Sequence, residues 1–320
     1  MMNFLILALG VGLLTVGGEA LIRGSLASAR HLGISPLLSG IVIVGFGTSA
    51  PELVVSVDAA LNHQPDIAIG NVVGSNIGNI LLILGTCALI TPLAVKPLVL
   101  RRDAVMVVAA SILFVVLVGS GSLGLVDALM LLITLVSYLI WAYLSERSHA
   151  APSAEVHIAE SEELTALPKS GIWTVTTVIV GLVLLITGSQ VLLMGAIGIA
   201  EHFKVSEAVI GLTLVAVGTS LPEFSISVIA ALRRHADVAV GNVLGSNIFN
   251  LLGILAVSAL LQPLPVHARI LQFDQWVMLG TSLLLLLFLY TGNRLSRLEG
   301  GILLAGYGIY VALSFTQFGS

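Results

Sequence analysis

Long apolar runs alternate with short polar breaks along the whole chain. About 20 apolar residues in a helix cross the hydrocarbon core of a bilayer. Runs of that order fall at about 3–22, 36–61, 67–91, 103–120 and 123–144, and again at about 172–200, 207–232, 238–262, 273–291 and 298–316. This pattern predicts an all-α polytopic membrane protein of ten transmembrane helices. The longest polar break, SERSHAAPSAEVHIAESEELTALPKS at 145–170, divides it into a first five-helix unit at 1–144 and a second at 171–320.

The two units share a sequence. Residues 40–103 return without a gap as residues 211–274, at a constant offset of 171, so that Glu52 falls on Glu223, Asn76 on Asn247 and Pro92 on Pro263. In DIAIGNVVGSNIGNI at 66–80 against DVAVGNVLGSNIFNL at 237–251, ten of fifteen positions are identical, polar ones included. Because five spans per unit is an odd number, the second copy enters the membrane from the opposite side. The units are then inverted repeats, with a site expected where they meet.

Composition supports a bilayer as the main solvent. The chain is 57% apolar and only 9% charged, against about 25% charged in soluble domains. Positive charge sets the orientation, since Lys and Arg collect in cytoplasmic connections. With both termini outside, eleven basic residues lie inside (Arg23, Arg30, Lys96, Arg101, Arg102, Arg147, Lys169, Arg233, Arg234, Arg294 and Arg297) and two, Lys204 and Arg269, outside. The acidic 145–170 segment is then a cytoplasmic tether between repeats. The location expected for such a chain is the cytoplasmic (inner) membrane.

The N-terminal run lacks a basic start and has an equivalent at 172–189, so it reads as a span and not a leader. The single cysteine, Cys87, excludes an intramolecular disulfide. No basic stripe interleaved with aromatics suggests nucleic acid.

The candidate chemistry lies in two pairs of motifs. GFGTSAPE at 45–52 and AVGTSLPE at 216–223 each place one carboxylate in the middle of an apolar span. An ionised Glu at that depth costs several kcal/mol unless a cation or a hydrated cavity compensates it, and no Lys or Arg lies in the adjacent apolar runs to pair with it. Thr48 and Ser49 lie four and three residues before Glu52, so on a helix all three share a side, as do Thr219, Ser220 and Glu223. Pro51 cannot donate to the carbonyl of Gly47, nor Pro222 to that of Gly218. Each helix is therefore expected to break and free backbone oxygen at mid-membrane, which is tolerated only where it lines a cavity or meets a ligand.

The second pair, NVVGSNIGN at 71–79 and NVLGSNIFN at 242–250, adds amides and hydroxyls from neighbouring spans. Asn71, Asn79, Asn242 and Asn250 read equally well as interhelical glue, with Gly74 and Gly245 permitting close packing. Asn76 and Asn247, inside the GSN core, read as ligands. The set is all oxygen, without His or Cys, which suits Ca2+ and Na+ and argues against zinc or copper. The seven histidines all fall in or near connections.

The paired GTSxPE and GNVxGSNIxN motifs resemble the two alpha-repeats of the sodium/calcium exchanger family, within the cation/calcium antiporter superfamily. The resemblance covers nearly the whole chain and looks most like the compact prokaryotic members. It implies a membrane antiporter and not an enzyme, with no cofactor, transporting Ca2+ and Na+ by alternating access. It implies ten helices with both termini outside, the first and sixth sliding across a diamond of the second, third, seventh and eighth. As ion ligands it implies Glu52, Glu223, Thr48, Ser49, Thr219, Ser220, Ser75, Asn76, Ser246 and Asn247, with backbone carbonyls near Gly45 and Ala216. Asn247 stands where several relatives carry Asp. The centre then holds two formal negative charges, which disfavours potassium co-transport and makes proton coupling through that position impossible.

Two ionised glutamates neutralise one Ca2+, whereas the family's usual three Na+ leave the site one charge positive, so exchange is expected to move net charge. Three alternatives remain at this level: Ca2+/H+ exchange on the same scaffold, a passive cation channel, and an intramembrane hydrolase using the two carboxylates. The duplicated Ser, Thr and Asn set has no use in the last.

Overall fold

A computed structural model of the protein describes residues 2–95, 97, 100–148, 170–202 and 218–318. The linker interior and the start of the 207–232 span, including Ala216, lie outside the described residues. The first repeat comprises α1 (Met2–Leu32), α2 (Pro36–Ser39), α3 (Phe46–Thr48), α4 (Ala50–Leu61), α5 (Pro65–Gly78), α6 (Gly85–Ile90), α7 (Val105–Val118) and α8 (Leu125–Ser148). The second comprises α9 (Gly171–His202), α10 (Leu221–Leu232), α11 (Ala236–Phe249), α12 (Leu255–Leu261), α13 (Gln275–Gly292) and α14 (Arg297–Phe318).

Helix is found at every expected span. Among the described residues, six helices meet both the length and the apolarity needed to cross a membrane, and a bent pair at 36–61 makes a seventh. The other three expected spans fall short for separate reasons. Helix α7 has 14 residues beyond a π-helical turn, α10 begins beside undescribed residues, and α14 opens with Arg297 and Glu299.

Helices α1 and α9 pack against each other along most of their length. Glycines recur every seventh residue on both, at 10, 17 and 24 and at 181, 188 and 195. A Cβ on Gly10 would lie 2.5 Å from the backbone of Leu192, one on Gly17 2.8 Å from Leu185, one on Gly181 2.7 Å from Leu21 and one on Gly188 2.8 Å from Leu14. Residue numbers rise on one helix as they fall on the other, so the pair is antiparallel and each contact recurs when the repeats are exchanged. Such small-residue seams let membrane helices approach to backbone contact. Replacing Gly17 by Val should force the pair apart at a cost of about 1–3 kcal/mol, read as a lower unfolding temperature in detergent. An unchanged unfolding temperature would remove the seam from the account.

The turn between α4 and α5 uses His63 in the left-handed region (φ 57°), and the equivalent turn between α10 and α11 uses Arg234 (φ 63°). Two short antiparallel pairs also cross between repeats. Strand β1 (Leu93–Ala94) pairs with β4 (Arg294–Leu295), and β2 (Ser122–Leu123) with β3 (Leu264–Pro265).

One expectation from charge counting is corrected. Arg102 is not a solvated connection residue but is fully buried beside Asp103. Its Nε donates to Asp103 Oδ1 at 2.6 Å and its Nη1 to the carbonyl of Ala142 at 3.2 Å, while the Tyr138 hydroxyl donates to Asp103 at 2.9 Å. The second repeat builds a counterpart, in which Asp274 accepts from Arg269 at 2.9 Å and from Tyr310 at 3.0 Å. Both aspartates lie in the last two residues of π-helical turns, Leu100–Ala104 and Ile270–Asp274. The signal was present in the sequence, since Asp103 aligns with Asp274 at the last matched position of the repeat.

Candidate cation site

The helix bearing the first GTSxPE motif breaks where proline requires it. Segments 36–48 and 50–61 meet at 45°, and Ser49 between them has ψ 8°, outside the helical well. Ser220 has ψ 7° at the equivalent place before α10. Pro51 and Pro222 open α4 and α10, where a missing N–H costs nothing. The carbonyl of Gly218 accepts a hydrogen bond from Ser189 of α9 at 2.8 Å. π-helical turns at Gly40–Gly45, Asn79–Leu84 and Asn250–Ile254 adjoin the motifs, as such turns often do at functional sites.

These breaks bring Glu52 and Glu223 together at the contact between repeats, both almost fully buried. The expectation that Thr48, Ser49 and Glu52 share one helix face is overturned, because the break re-aims the hydroxyls across the repeat boundary. Ser49 donates to Glu223 Oε1 at 3.0 Å and Ser220 donates to Glu52 Oε1 at 3.0 Å. Ser220 also lies 3.3 Å from the Ser75 hydroxyl. The second motif holds the breaks in shape. Asn71 donates to the carbonyl of Glu52 at 3.2 Å and to Ser56 at 2.9 Å, and Asn242 donates to the carbonyl of Glu223 at 3.1 Å and to Ser227 at 2.8 Å. The structure thus places these two asparagines, read as glue or ligand from sequence, on the backbone side.

Not every expected ligand presents a spare oxygen. Ser246 donates to the carbonyl of Gly45 at 3.0 Å, and that carbonyl also accepts from the Ser49 N–H at 3.3 Å. Thr48 donates to Asn242 at 3.1 Å. Asn247 Oδ1 accepts from Asn79 at 2.9 Å, and Asn247 Nδ2 donates to the carbonyl of Asn76 at 3.3 Å. The glycines of the two GSN motifs also differ. A Cβ on Gly245 would lie 2.4 Å from the carbonyl oxygen of Ile41, whereas one on Gly74 would meet nothing within 4 Å, so only Gly245 serves close packing.

Within the two motif pairs, six buried oxygens have no hydrogen-bond partner, Glu52 Oε2, Glu223 Oε2, Asn76 Oδ1, Asn79 Oδ1, Asn250 Oδ1 and Thr219 Oγ1, while outside them Ser258, Gln275 and Ser314 hold one each. Buried polar atoms are nearly always paired, and none of these has a cationic side chain to meet. Among the described residues neither glutamate forms a salt bridge. Two carboxylates with neutral amide and hydroxyl oxygens match a hard cation. No three His, Cys, Asp or Glu side chains converge among the described residues, which leaves no soft-metal centre there. Glu19, another acid in an apolar run and not singled out by the motifs, is bound elsewhere: it pairs with Arg23 at 2.9 Å and with Arg233 at 3.2 Å.

The sequence matches the family described as sodium/calcium exchanger protein over residues 2–144 and 173–316. The chain belongs to the sodium/calcium exchanger family. It is 37% identical over 316 residues to the putative antiporter CaxA of Alkalimonas amylolytica, covering 96% of this chain and 97% of that one. It is 31% identical over 347 residues to the sodium/calcium exchanger MaX1 of Methanosarcina acetivorans, covering 98% of each. A solved structure of the sodium-calcium exchanger NCX_Mj superposes with a TM-score of 0.82 at 33% identity, over 98% of both chains. The expected family is therefore the observed one. Its members are transporters and not enzymes, need no cofactor and carry Na+ and Ca2+ as substrates. The chain is an integral membrane cation/Ca2+ antiporter.

Proposed function

We propose that this antiporter exchanges Ca2+ for Na+ at one shared centre, held by Glu52 and Glu223 with Asn76 and the GTS hydroxyls around them and with Asn247 joining when Asn79 releases its oxygen. The observation that carries the reading is the set of buried, partnerless oxygens, which includes one oxygen from each glutamate. Thr48, Ser49, Ser75, Ser220 and Ser246 then act in part by orienting carboxylates and carbonyls, and Thr219, with its hydroxyl unpaired, as a direct ligand. Gly45 contributes its carbonyl only when Ser246 releases it, and Ala216 is its counterpart in the second repeat.

In this reading the chain has ten spans as two inverted five-helix repeats, 1–144 and 171–320, joined by a cytoplasmic tether at 145–170. It sits in the cytoplasmic membrane with both termini outside. The seven long apolar helices, the contacts that recur on exchanging repeats and the charge bias, ten to two once buried Arg102 is left out, support it. A groove of about 340 Å3, whose lining includes Asp66, Gly70, Gly74, His267 and the Arg269–Asp274 ion pair, runs along α5 to the residue before Ser75. With the termini outside it opens outward and gives hydrated cations a route toward the centre.

Competition for one centre, with the doubly charged empty site too costly to carry across, makes exchange obligatory. Three Na+ per Ca2+, as the family resemblance implies, moves one net positive charge, worth about 2.3 kcal/mol per 100 mV. The test is 45Ca2+ uptake into proteoliposomes loaded with Na+ or with choline at equal pH, in a sodium-free bath. Uptake should require internal Na+ and should rise when the interior is made positive, because net positive charge leaves as Ca2+ enters. Uptake that ignores Na+ and follows an outward proton gradient would move the assignment to Ca2+/H+ exchange. Conductance without counter-ion dependence would indicate a channel.

A further inference from the structure

Outside the transport centre, an open groove of about 430 Å3 lies between α7 and α13 and is lined by Arg101, Val105, Leu283, Leu286, Leu287 and Tyr290. We propose that it holds one acyl chain of an anionic phospholipid, with the lipid phosphate at Arg101. Four observations select this occupant.

The first is the division of labour between neighbours. The Arg102 guanidinium is spent on buried Asp103, while Arg101 is exposed and has no ion-pair partner among the described residues. The second is the lining, where branched apolar side chains lead away from that one cation. Arg101 can offer a phosphate charge-assisted hydrogen bonds while the leucines accommodate a chain. The third is Tyr290, exposed at the same end of α13, an aromatic at the depth where rings collect at the membrane interface.

The fourth comes from the duplication. The repeat supplies the same two-helix seam at the opposite end of the bundle, and there the offset of 171 puts Gln272, Trp276, Ile112, Val115, Val116 and Gly119 at the six positions. The cation has become an amide, the interfacial tyrosine a glycine, and bulky Trp276 stands where Val105 leaves room, its indole N–H donating to the carbonyl of Leu271 at 3.1 Å. A seam that only greases the contact with bulk lipid has no need of this difference. Arg294, in the connection after α13, and Arg297, at the start of α14, are exposed, at the same end as Arg101. That is the end which the orientation proposed above places in the cytoplasm, where leaflets carry anionic lipid and basic sites between helices take lipid headgroups.

The lipid site needs only a bilayer; the choice of leaflet rests on the proposed orientation, and the two are tested separately. Native mass spectrometry of the detergent-purified protein, titrated with phosphatidylglycerol or phosphatidylcholine, reads the site. Arg101→Gln should weaken retention of one phosphatidylglycerol about fivefold and leave phosphatidylcholine unchanged. Val105→Trp, which copies the opposite seam, should remove that bound lipid altogether, and Gln272→Arg should not create a second. These positions face outward, so the variants should fold, and an unchanged unfolding temperature would verify it. If Arg101→Gln and Val105→Trp both retain lipid like the parent protein, the contacts are annular and the proposal is wrong. Maleimide labelling of Arg294→Cys in a Cys87→Ala background reads the leaflet. Labelling from the cytoplasmic side supports it, and labelling from outside alone overturns the orientation while leaving the lipid site standing.

Discussion

Ca2+ uptake should fall about 100-fold or more when Glu52 is replaced by Gln, with the fold intact. At an effective permittivity of about 20, a unit charge about 4 Å from a divalent ion contributes about 8 kcal/mol gross. If only a third of this survives the cost of desolvating the pair, its removal weakens Ca2+ about 100-fold. Glutamine also keeps the shape and the Oε1 acceptor that Ser220 uses, so what is lost is charge. The same substitution relieves repulsion between two buried carboxylates in the ion-free protein. Its unfolding temperature should therefore stay level or rise without Ca2+, while the added stabilisation by Ca2+ disappears. Uptake within threefold of the parent would sink the placement of Glu52 in the centre. Glu223→Gln should behave alike, since Ser49 holds Glu223 as Ser220 holds Glu52.

The second large effect separates two glycines that the sequence makes equivalent. Gly245→Val puts side-chain carbon where the backbone of Ile41 already lies: even a Cβ would be 2.4 Å from the Ile41 carbonyl and 2.7 Å from its Cα. Backbone cannot rotate away as a side chain can, so α11 must move off the Gly40–Gly45 turn. That movement breaks the Ser246 to Gly45 hydrogen bond and displaces Asn247 one residue on. A cost of about 1–3 kcal/mol in stability is expected, read as a lower unfolding temperature, with uptake reduced at least tenfold. Gly74→Ala, at the matching position of the first repeat, should retain transport and gain up to about 1 kcal/mol in helix propensity, because nothing lies within 4 Å of the added carbon. Equal damage at both positions would show that the glycines act through flexibility and not through packing.

The fold class was legible because its cause is local. A bilayer forces every backbone polar group to be satisfied within the helix, so apolar length alone predicts spans, and helix was found at each. The pair of acids was legible for the same reason, since ionised groups at that depth need compensation. The resemblance carried in the GTSxPE and GNVxGSNIxN motifs was matched by the family comparison. The seven-residue glycine spacing in α1 and α9 is also present in the sequence.

Other features had no sequence signature. Counting Arg102 among solvated charges failed because burial depends on which helix covers a connection, and Ala142 and Tyr138 of α8 cover this one. A helical face predicted that Ser49 would serve Glu52; the proline break sent it to Glu223 instead. Asn79 bonds Asn247 across the repeats, while the matching amide of Asn250 is unpaired. Identical motifs therefore do unequal work.

The sequence by itself determined that this chain lives in a membrane, is built twice, and carries oxygen donors with one acid per copy at mid-span, because hydrophobic length and the cost of a buried charge are properties of segments. It took the folded contacts to fix which oxygens are spent on the protein and which are left without a partner, and which glycine lies against backbone. Those depend on contacts between segments far apart in the chain, where a shift of about 1 Å makes or breaks a hydrogen bond.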